Sequence, residues 1–315
     1  GASHLSFSPD GAHLYVAGFV DDALAVFGRD TNAGSPGFGD LTYLAAVFDG
    51  GGPVDGLDGA QWVEVSPDGK NVYAASGVDK AVASFNRDPA TGLLTFLQVA
   101  KDGLGGVNGL DGASSLAISG DGRHLYATGQ AEDAIAIFAR QDLTGLLSWV
   151  DMVVDGTEGA EGLDGATGVR VSGDLRFVYV LGFFEDALAV YTRDEASGAL
   201  AFLEVHRDGF GAIDGLARAH GLAVSADDQH LYVAGQNDDA IAVFMRDAFA
   251  PSLPSVLEST SHEVGVFSND PTVDMLWSGS VDNPGGSGMD GYSFLFDATP
   301  LTNADRVVDL PHTVD

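Results

Sequence analysis

The stretch "KDGLGGVNGLDG", residues 101–112, sets five glycines and two aspartates in twelve positions of a chain that otherwise reads as β-strand. It returns as "FDGGGPVDGLDG" ending at Gly59, as "VDGTEGAEGLDG" ending at Gly165 and, eroded, as "RDGFGAIDGLAR" ending at Arg218, so that Asp49, Asp102, Asp155 and Asp208 recur every 53 residues. Calcium takes six to eight oxygens from carboxylates and backbone carbonyls, and glycine lets a short chain curl until its carbonyls converge. One calcium ion per loop is therefore expected at Asp49, Asp55 and Asp58, at Asp102, Asn108 and Asp111, and at Asp155, Glu161 and Asp164. In the fourth copy Ala217 and Arg218 replace the Asp-Gly ending, which leaves Asp208 and Asp214 a weak site or none. The competing account makes the loops tight crossovers whose aspartates only form turns; the spacing, unlike that of an EF-hand, leaves both open.

Charge narrows the partners. Forty-six acids against fourteen bases give a formal −32, with only three lysines. A field of that sign repels nucleic acid and anionic lipid and attracts cations, so nucleic-acid binding is excluded. Either cation sites or a surface suited to high salt accounts for the acidity. The absence of cysteine excludes disulfides and thiol chemistry. No apolar run reaches the roughly 20 residues that span a bilayer, so no direct membrane insertion is expected. The opening "GASHLSFSPDG" has no initiator Met and reads as the start of a mature or trimmed chain.

Five units, starting at Ala2, Ala60, Ala113, Ala166 and Ala219, must position these loops. Each has an alternating run ("HLSFS", "WVEVS", "SLAIS", "GVRVS", "GLAVS"), a turn such as "SPDG", a second run ("HLYVAG", "NVYAAS"), an acidic turn, and a third run ("ALAVF", "AIAIF") ending near Arg-Asp; the first four units add a fourth ("LTYLAAV", "LAFLEVH"). Short β-branched and aromatic runs bounded by Gly, Asp, Asn and Pro make antiparallel meanders. Four such strands, repeated about an axis, make a β-propeller. The expected organisation is all-β: propeller repeats over 1–248, with blades at about 2–59, 60–112, 113–165, 166–218 and 219–248. A Pro/Ser linker follows over 249–257. A partial β-sandwich, resembling a fibronectin type III or immunoglobulin-like module, is expected over 258–315. The fifth unit lacks an evident fourth strand, for which "SVLEST" at 255–260 is the candidate.

The segments "SPDGAHLYVAGFVDDALAVFGRD" and "SPDGKNVYAASGVDKAVASFNRDPATGLLTF" resemble the lactonase-type propellers, the group that includes 6-phosphogluconolactonase and the surface-layer propellers with a Tyr-Val-Thr-Asn repeat. The likeness covers residues 2 to about 247. It implies a ring that usually has seven blades, and a chemistry it does not fix, because enzymes and structural proteins share the repeat.

In a propeller the first strand of each blade lines the channel, with side chains alternating between channel and core. Leu5, Val63, Leu116, Val169 and Leu222, with Phe7, Val65, Ile118, Val171 and Val224, should pack between blades. The channel then receives Ser6, Glu64, Ala117, Arg170 and Ala223 and, nearer the mouth, His4, Trp62, Ser115, Gly168 and Gly221. Through the resemblance, Glu64, Arg170 and His4, with His220 nearby, become a lactone-opening set: carboxylate or imidazole activating water, arginine stabilising the oxyanion. The plainer account is a Glu-Arg pair satisfying itself in a wet channel. Tyr15, Tyr73, Tyr126, Tyr179 and Tyr232 read as packing residues, and Arg29, Arg87, Arg140, Arg193 and Arg246 as partners of acids within two positions. With so thin a set of polar channel residues, the sequence reading favours a non-enzymatic, calcium-stabilised adhesive protein. That reading places it outside the cell or at its surface, joined to surface or matrix proteins or glycans and to further modules of a longer chain. A secreted lactonase-like hydrolase is the alternative.

Overall fold

The Ser-Pro-Asp-Gly turns close hairpins by a fixed set of bonds: Ser8 N–H donates to the His13 carbonyl at 2.9 Å, Gly11 N–H to Ser8 at 2.7 Å, and Asp10 accepts from Ala12 N–H at 3.0 Å. Ser66 and Ser119 repeat the pattern. The computed structural model describes residues 1–211, 213–247, 256–259, 275–278 and 288–289. Blade one comprises β1 (Ala2–Phe7), β2 (His13–Gly18), β3 (Ala23–Arg29) and β4 (Leu41–Phe48). Blade two comprises β5 (Ala60–Val65), β6 (Asn71–Ser76), β7 (Ala81–Arg87) and β8 (Leu94–Lys101). Blade three comprises β9 (Ala113–Ile118), β10 (His124–Gly129), β11 (Ala134–Arg140) and β12 (Leu147–Val154). Blade four comprises β13 (Ala166–Val171), β14 (Phe177–Gly182), β15 (Ala187–Arg193) and β16 (Leu200–Arg207). Each is an antiparallel meander in sequence order.

Blade five, β17 (Ala219–Val224), β18 (His230–Gly235) and β19 (Ala240–Asp247), departs from expectation. Its fourth strand is β22 (Gly288–Met289), which pairs with Arg246 and Asp247, while the candidate segment forms β20 (Val256–Ser259) and pairs instead with β21 (Met275–Ser278). The expected sandwich module lies, apart from these short strands, outside the described residues.

The cores lie between blades. Tyr15, Leu24 and Val26 of blade one meet Val63, Val72 and Phe85 of blade two, and the same contact recurs at the next three boundaries. Of the expected core column Val63, Leu116 and Val169 are fully buried and Ile118, Val171 and Val224 half-buried, whereas Leu5 and Phe7 of blade one are 53% and 46% exposed; Ala117, expected in the channel, packs instead in the core between blades three and four. Inner strands pack in the order β1, β5, β9, β13, β17, with no comparable packing of β17 on β1 among the described residues. The five blades form an open arc.

A second device joins the blades, and it revises the reading of the repeated Tyr and Arg. Arg87 of blade two donates through Nε to the Tyr15 hydroxyl of blade one at 2.7 Å, and through Nη1 to Gly69 of its own blade at 2.8 Å. Its Nη2 lies 2.8 Å from His13 Nδ1 and 3.4 Å from Asp10. Burial and the Arg87 charge hold His13 below its ordinary pKa, so its neutral ring offers a lone pair to the guanidinium. Arg140 repeats this with Tyr73, Asn71 and Asp68 at 2.8, 2.8 and 2.9 Å, and Arg193 with Tyr126 at 2.8 Å and His124 at 2.7 Å. The partners therefore sit on the preceding blade; the nearby acid expected for Arg140, Asp142, is 4.0 Å away.

Candidate functional site

A β-bulge in each inner strand shapes the channel mouth. Pairing between β5 and β6 steps from Ala60↔Ser76 to Trp62↔Ala75, which leaves Gln61 out of the ladder. Ser3, Thr167 and His220 are skipped in the same way. A bulged residue breaks the alternation, so the second residue of each strand turns to the mouth instead of following the core parity. There the side chains of Ser3, Gln61, Ser114, Thr167 and His220 meet Trp62, Gln130, Phe183 and Gln236 around a depression of ≈ 370 Å³. The Ser3 hydroxyl donates to the Ala60 carbonyl at 3.0 Å and Ser114 to Ala166 at 3.1 Å, linking the ring blade to blade. The sequence reading missed this polar ring, since strict alternation assigns its members to the core.

Below the mouth, three expected residues come together through a fourth. The His4 ring stacks on Trp62 with centroids 3.4 Å apart, and the Arg170 guanidinium lies 4.9 Å from the Trp62 ring. Trp62 Nε1–H donates to Glu64 Oε2 at 3.4 Å. Arg170 belongs to blade four and Trp62 to blade two, so the contact passes over blade three, whose residues at the aligned positions, Ser115 and Ala117, are small. Arg170 Nη1 donates to the Val169 carbonyl at 2.7 Å, and Glu64 and Arg170 are not in direct ion-pair contact among the described residues. The satisfied Glu-Arg pair of the plainer account is therefore not formed. His220 stands apart at the mouth, 6.2 Å from Phe183.

Electrostatics at this cluster follow from burial. Desolvation raises the Glu64 carboxyl, against the pull of Arg170 and the Trp62 hydrogen bond. It lowers Arg170, with Glu64 opposing. Burial first, then the Arg170 charge, brings His4 down to about 4. His4 is thus neutral near pH 7. With Nδ1–H donating to the Val63 carbonyl at 3.1 Å, its Nε2 remains an acceptor. The channel holds a carboxylate of raised basicity, a cation and a neutral imidazole around one indole, a set able to accept a proton and stabilise developing negative charge.

The Asp-Gly loops are arranged otherwise than expected. Asp49, Asp102, Asp155 and Asp208 each accept, through Oδ1, the N–H of the residue eight positions on, at 3.0, 3.2, 2.9 and 3.0 Å. Gly56 has φ +92° and a Cβ there would meet Val99, so glycine is needed for the crossover itself. Of the nine expected ligands only Asp49 and Asp55 enter a tight carboxylate group, and they do so with Asp79 in place of Asp58. Lys101 lies in that group, 2.7 Å from Asp55 and 2.9 Å from Asp79. Arg207 takes the equivalent place, 3.0 Å from Glu161 and paired with Glu185, and Lys80 lies 2.6 Å from Asp111. The Asn108 carbonyl accepts from Trp149. Asp58 and Asp164 are raised by desolvation and by neighbouring carboxylates. The fourth copy, expected to be weakest, gathers Asp208, Asp214 and Asp238.

Comparison with known proteins bears on both sites. The model of the family described as "Lactonase, 7-bladed beta-propeller" matches residues 1–158 and 150–267. Among solved structures, the periplasmic gluconolactonase of Pseudomonas aeruginosa is similar, with 25% identity, a TM-score of 0.62, and 92% of this chain and 72% of that chain covered. A Bacteroides fragilis protein provisionally described as a 6-phosphogluconolactonase aligns at 20% identity and TM-score 0.60 over 77% of this chain; the alignment spans 65% of its length. A Lactobacillus plantarum protein aligns at 21% identity and TM-score 0.61, over 78% of this chain and 67% of its own. No curated protein matches. The family match overturns the non-enzymatic, adhesive reading expected from the thin set of polar channel residues. With its repeated four-stranded blades and two overlapping family matches, the chain belongs to the lactonase family of β-propellers.

Proposed function

We propose that this protein hydrolyses lactones of hydroxylated, sugar-like acids at the mouth of the channel. The observation that carries the reading is the Glu64–Trp62–Arg170–His4 cluster, assembled from three blades beneath a polar mouth. The Glu64 carboxylate takes a proton from water as its oxygen bonds to the lactone carbonyl carbon. Arg170 faces the oxyanion of the tetrahedral intermediate. Collapse breaks the ring C–O bond, and Glu64 returns the proton to the departing alkoxide, giving the open hydroxy acid. Neutral His4 accepts a substrate hydroxyl at Nε2, and the amides of Gln61, Gln130 and Gln236 offer further donors and acceptors to a polyol. The periplasmic relative favours action outside the cytoplasm.

The test is proton release from gluconolactone and from its 6-phosphate, followed at constant pH. Glu64→Gln should lower kcat/KM by about 10²–10⁴, and Arg170→Met by about 10²–10³. Full activity in Glu64→Gln, or no turnover of any lactone, would overturn the reading.

A further inference from the structure

Three of the four Asp-Gly loops end on a glycine that the backbone requires: Gly59, Gly112 and Gly165 have φ of +69°, +71° and +69°. The fourth ends on Arg218 at φ +53°, in the left-handed region that a residue with a Cβ enters only against strain. The backbone there does what it does in the other copies. Arg218 N–H donates to Asp186 Oδ1 at 2.8 Å, as Gly59 donates to Asp22 at 2.9 Å and Gly165 to Asp133 at 2.8 Å. Glycine would serve that bond without strain, so the side chain is what sets the position apart. Its guanidinium lies 4.8 Å from the Phe183 ring and 5.3 Å from the Phe184 ring. Phe183 lines the mouth depression, and His220, exposed there, stands 6.2 Å from the same ring. The residue before the arginine changes in the same sense: Ala217 stands where the other copies have Asp58, Asp111 and Asp164. One step of the loop thus exchanges a negative for a positive charge beside the mouth. Among the described residues Arg218 forms no salt bridge, in a chain with 46 acidic residues.

We infer that Arg218, with His220, receives a carboxylate that the lactone carries away from its ring carbonyl, so that the preferred substrates are monolactones of sugar diacids. The inference rests on the hydrolytic reading above and adds the charge of the substrate to it. A guanidinium stacked on aromatic faces keeps its N–H edge for a partner, and that edge matches the two oxygens of a carboxylate. The His220 imidazole offers a further N–H. One positive charge suits one carboxylate better than a phosphate dianion, because Asp186 and Asp238 stand beside it, accepting the N–H groups of Arg218 and Ala217 at 2.8 Å each. A dianion would meet more negative than positive charge there. The lactone would lie across the depression of ≈ 370 Å³, its ring toward Trp62 and its carboxylate toward Phe183.

Matched lactones test it. Glucaro-1,4-lactone and glucono-1,4-lactone share a ring and differ by a carboxylate in place of a hydroxymethyl group. In the parent, kcat/KM should favour the glucarolactone by about 10- to 100-fold. Arg218→Gly should bring that ratio close to one without lowering Tm, since glycine relieves the left-handed backbone, and Arg218→Lys should keep part of the preference. A ratio near one in the parent, or an unchanged ratio in Arg218→Gly, would overturn the inference. So would a larger preference for 6-phosphogluconolactone over glucono-1,5-lactone than for the carboxylate pair, which would assign the arginine to phosphate. Calorimetry of glucarate and gluconate separates this site from the hydrolytic reading. Tighter binding of glucarate that Arg218→Gly abolishes would support the site even in a protein that turns over no lactone. Equal binding of the two acids by a protein that hydrolyses gluconolactone would overturn the site and leave the hydrolase standing.

Discussion

At the blade boundaries Arg87, Arg140 and Arg193 each meet the same partners, a buried tyrosine hydroxyl, an aspartate and a His or Asn acceptor, all on the preceding blade. In the channel no two blades present the same pair. His4 and Ser6 give way to Trp62 and Glu64, then to Ser115 and Ala117, to Gly168 and Arg170, and to Gly221 and Ala223. Both sets come from one repeating framework, so local backbone preference does not separate them. A joint must satisfy the same geometry at these three boundaries, and its residues repeat; at the fourth, Phe177 stands in place of the His or Asn and the Tyr179 hydroxyl has no partner among the described residues. A site needs different groups facing one another across an axis, so its residues must differ. In a repeat protein, departure from the repeat at aligned channel positions marks where a candidate site is to be sought.

Crossed substitutions would test that contrast. The largest effect is expected for Glu64→Gln, a loss of about 10²–10⁴ in kcat/KM with Tm unchanged or raised. The sign of the stability change follows from the raised carboxyl pKa of folded Glu64. Its stabilisation is present below the ordinary carboxylate range and is lost as pH rises through the folded value, so at neutral pH the buried charge is a burden that Gln removes. Arg140→Ala should do the reverse. It would leave Asp68, Asn71 and the Tyr73 hydroxyl without their partner, lowering stability by about 3–5 kcal/mol, while the folded fraction keeps its pH profile. A Glu64→Gln variant that loses as much Tm as Arg140→Ala would erase the distinction.

The pH profile gives a narrower check. Glu64 must be ionised to accept the proton of water, so kcat/KM should fall with acidification through a midpoint above the ordinary glutamate value of 4.5. In Arg170→Met that midpoint should move higher, since the cation that favours the ionised form is gone. A lower midpoint in the variant would remove Arg170 from the neighbourhood of the base.

Smaller effects are expected at the loops. Lys101→Gln removes the cation held by Asp55 and Asp79. Calcium should then raise the Tm of the variant by a few degrees and that of the parent by less, because the ammonium already occupies the carboxylate group. Equal responses would show that the lysine and the ion do not compete. Asp58→Asn should raise Tm by about 1 °C at neutral pH and low salt by relieving repulsion from Asp22, Asp79 and Asp49, and should have no effect once all are protonated.

The period, the four strands of a blade and the core parity of Val63, Leu116 and Val169 were legible because turn chemistry and alternation are local. The channel set Glu64, Arg170 and His4 followed from that parity. The joints were not legible. Arg87 and Tyr15 are 72 residues apart, and only the ring brings them together, so a nearer acid looked like the natural partner. The mouth was missed for a different reason: a bulge inserts one residue, and a rule of strict alternation sends Gln61 to the wrong side. "SVLEST" has the right period for a fourth strand, yet β20 pairs with β21 and blade five takes β22. Periodicity fixes where a strand could form and says nothing about which neighbour it will choose.

The bulge in the inner strands separates inheritance of the scaffold from inheritance of specificity. A residue left out of the ladder can change without moving a register, at the loss of the hydroxyl bonds that Ser3, Ser114 and Thr167 make within their own blade and to the next. Serine, glutamine, threonine and histidine already alternate there on a common backbone. Duplicated blades can therefore diverge at the entrance one position at a time, each variant still closing the same joints, which gives a lineage of such proteins a route to new substrates through stable intermediates.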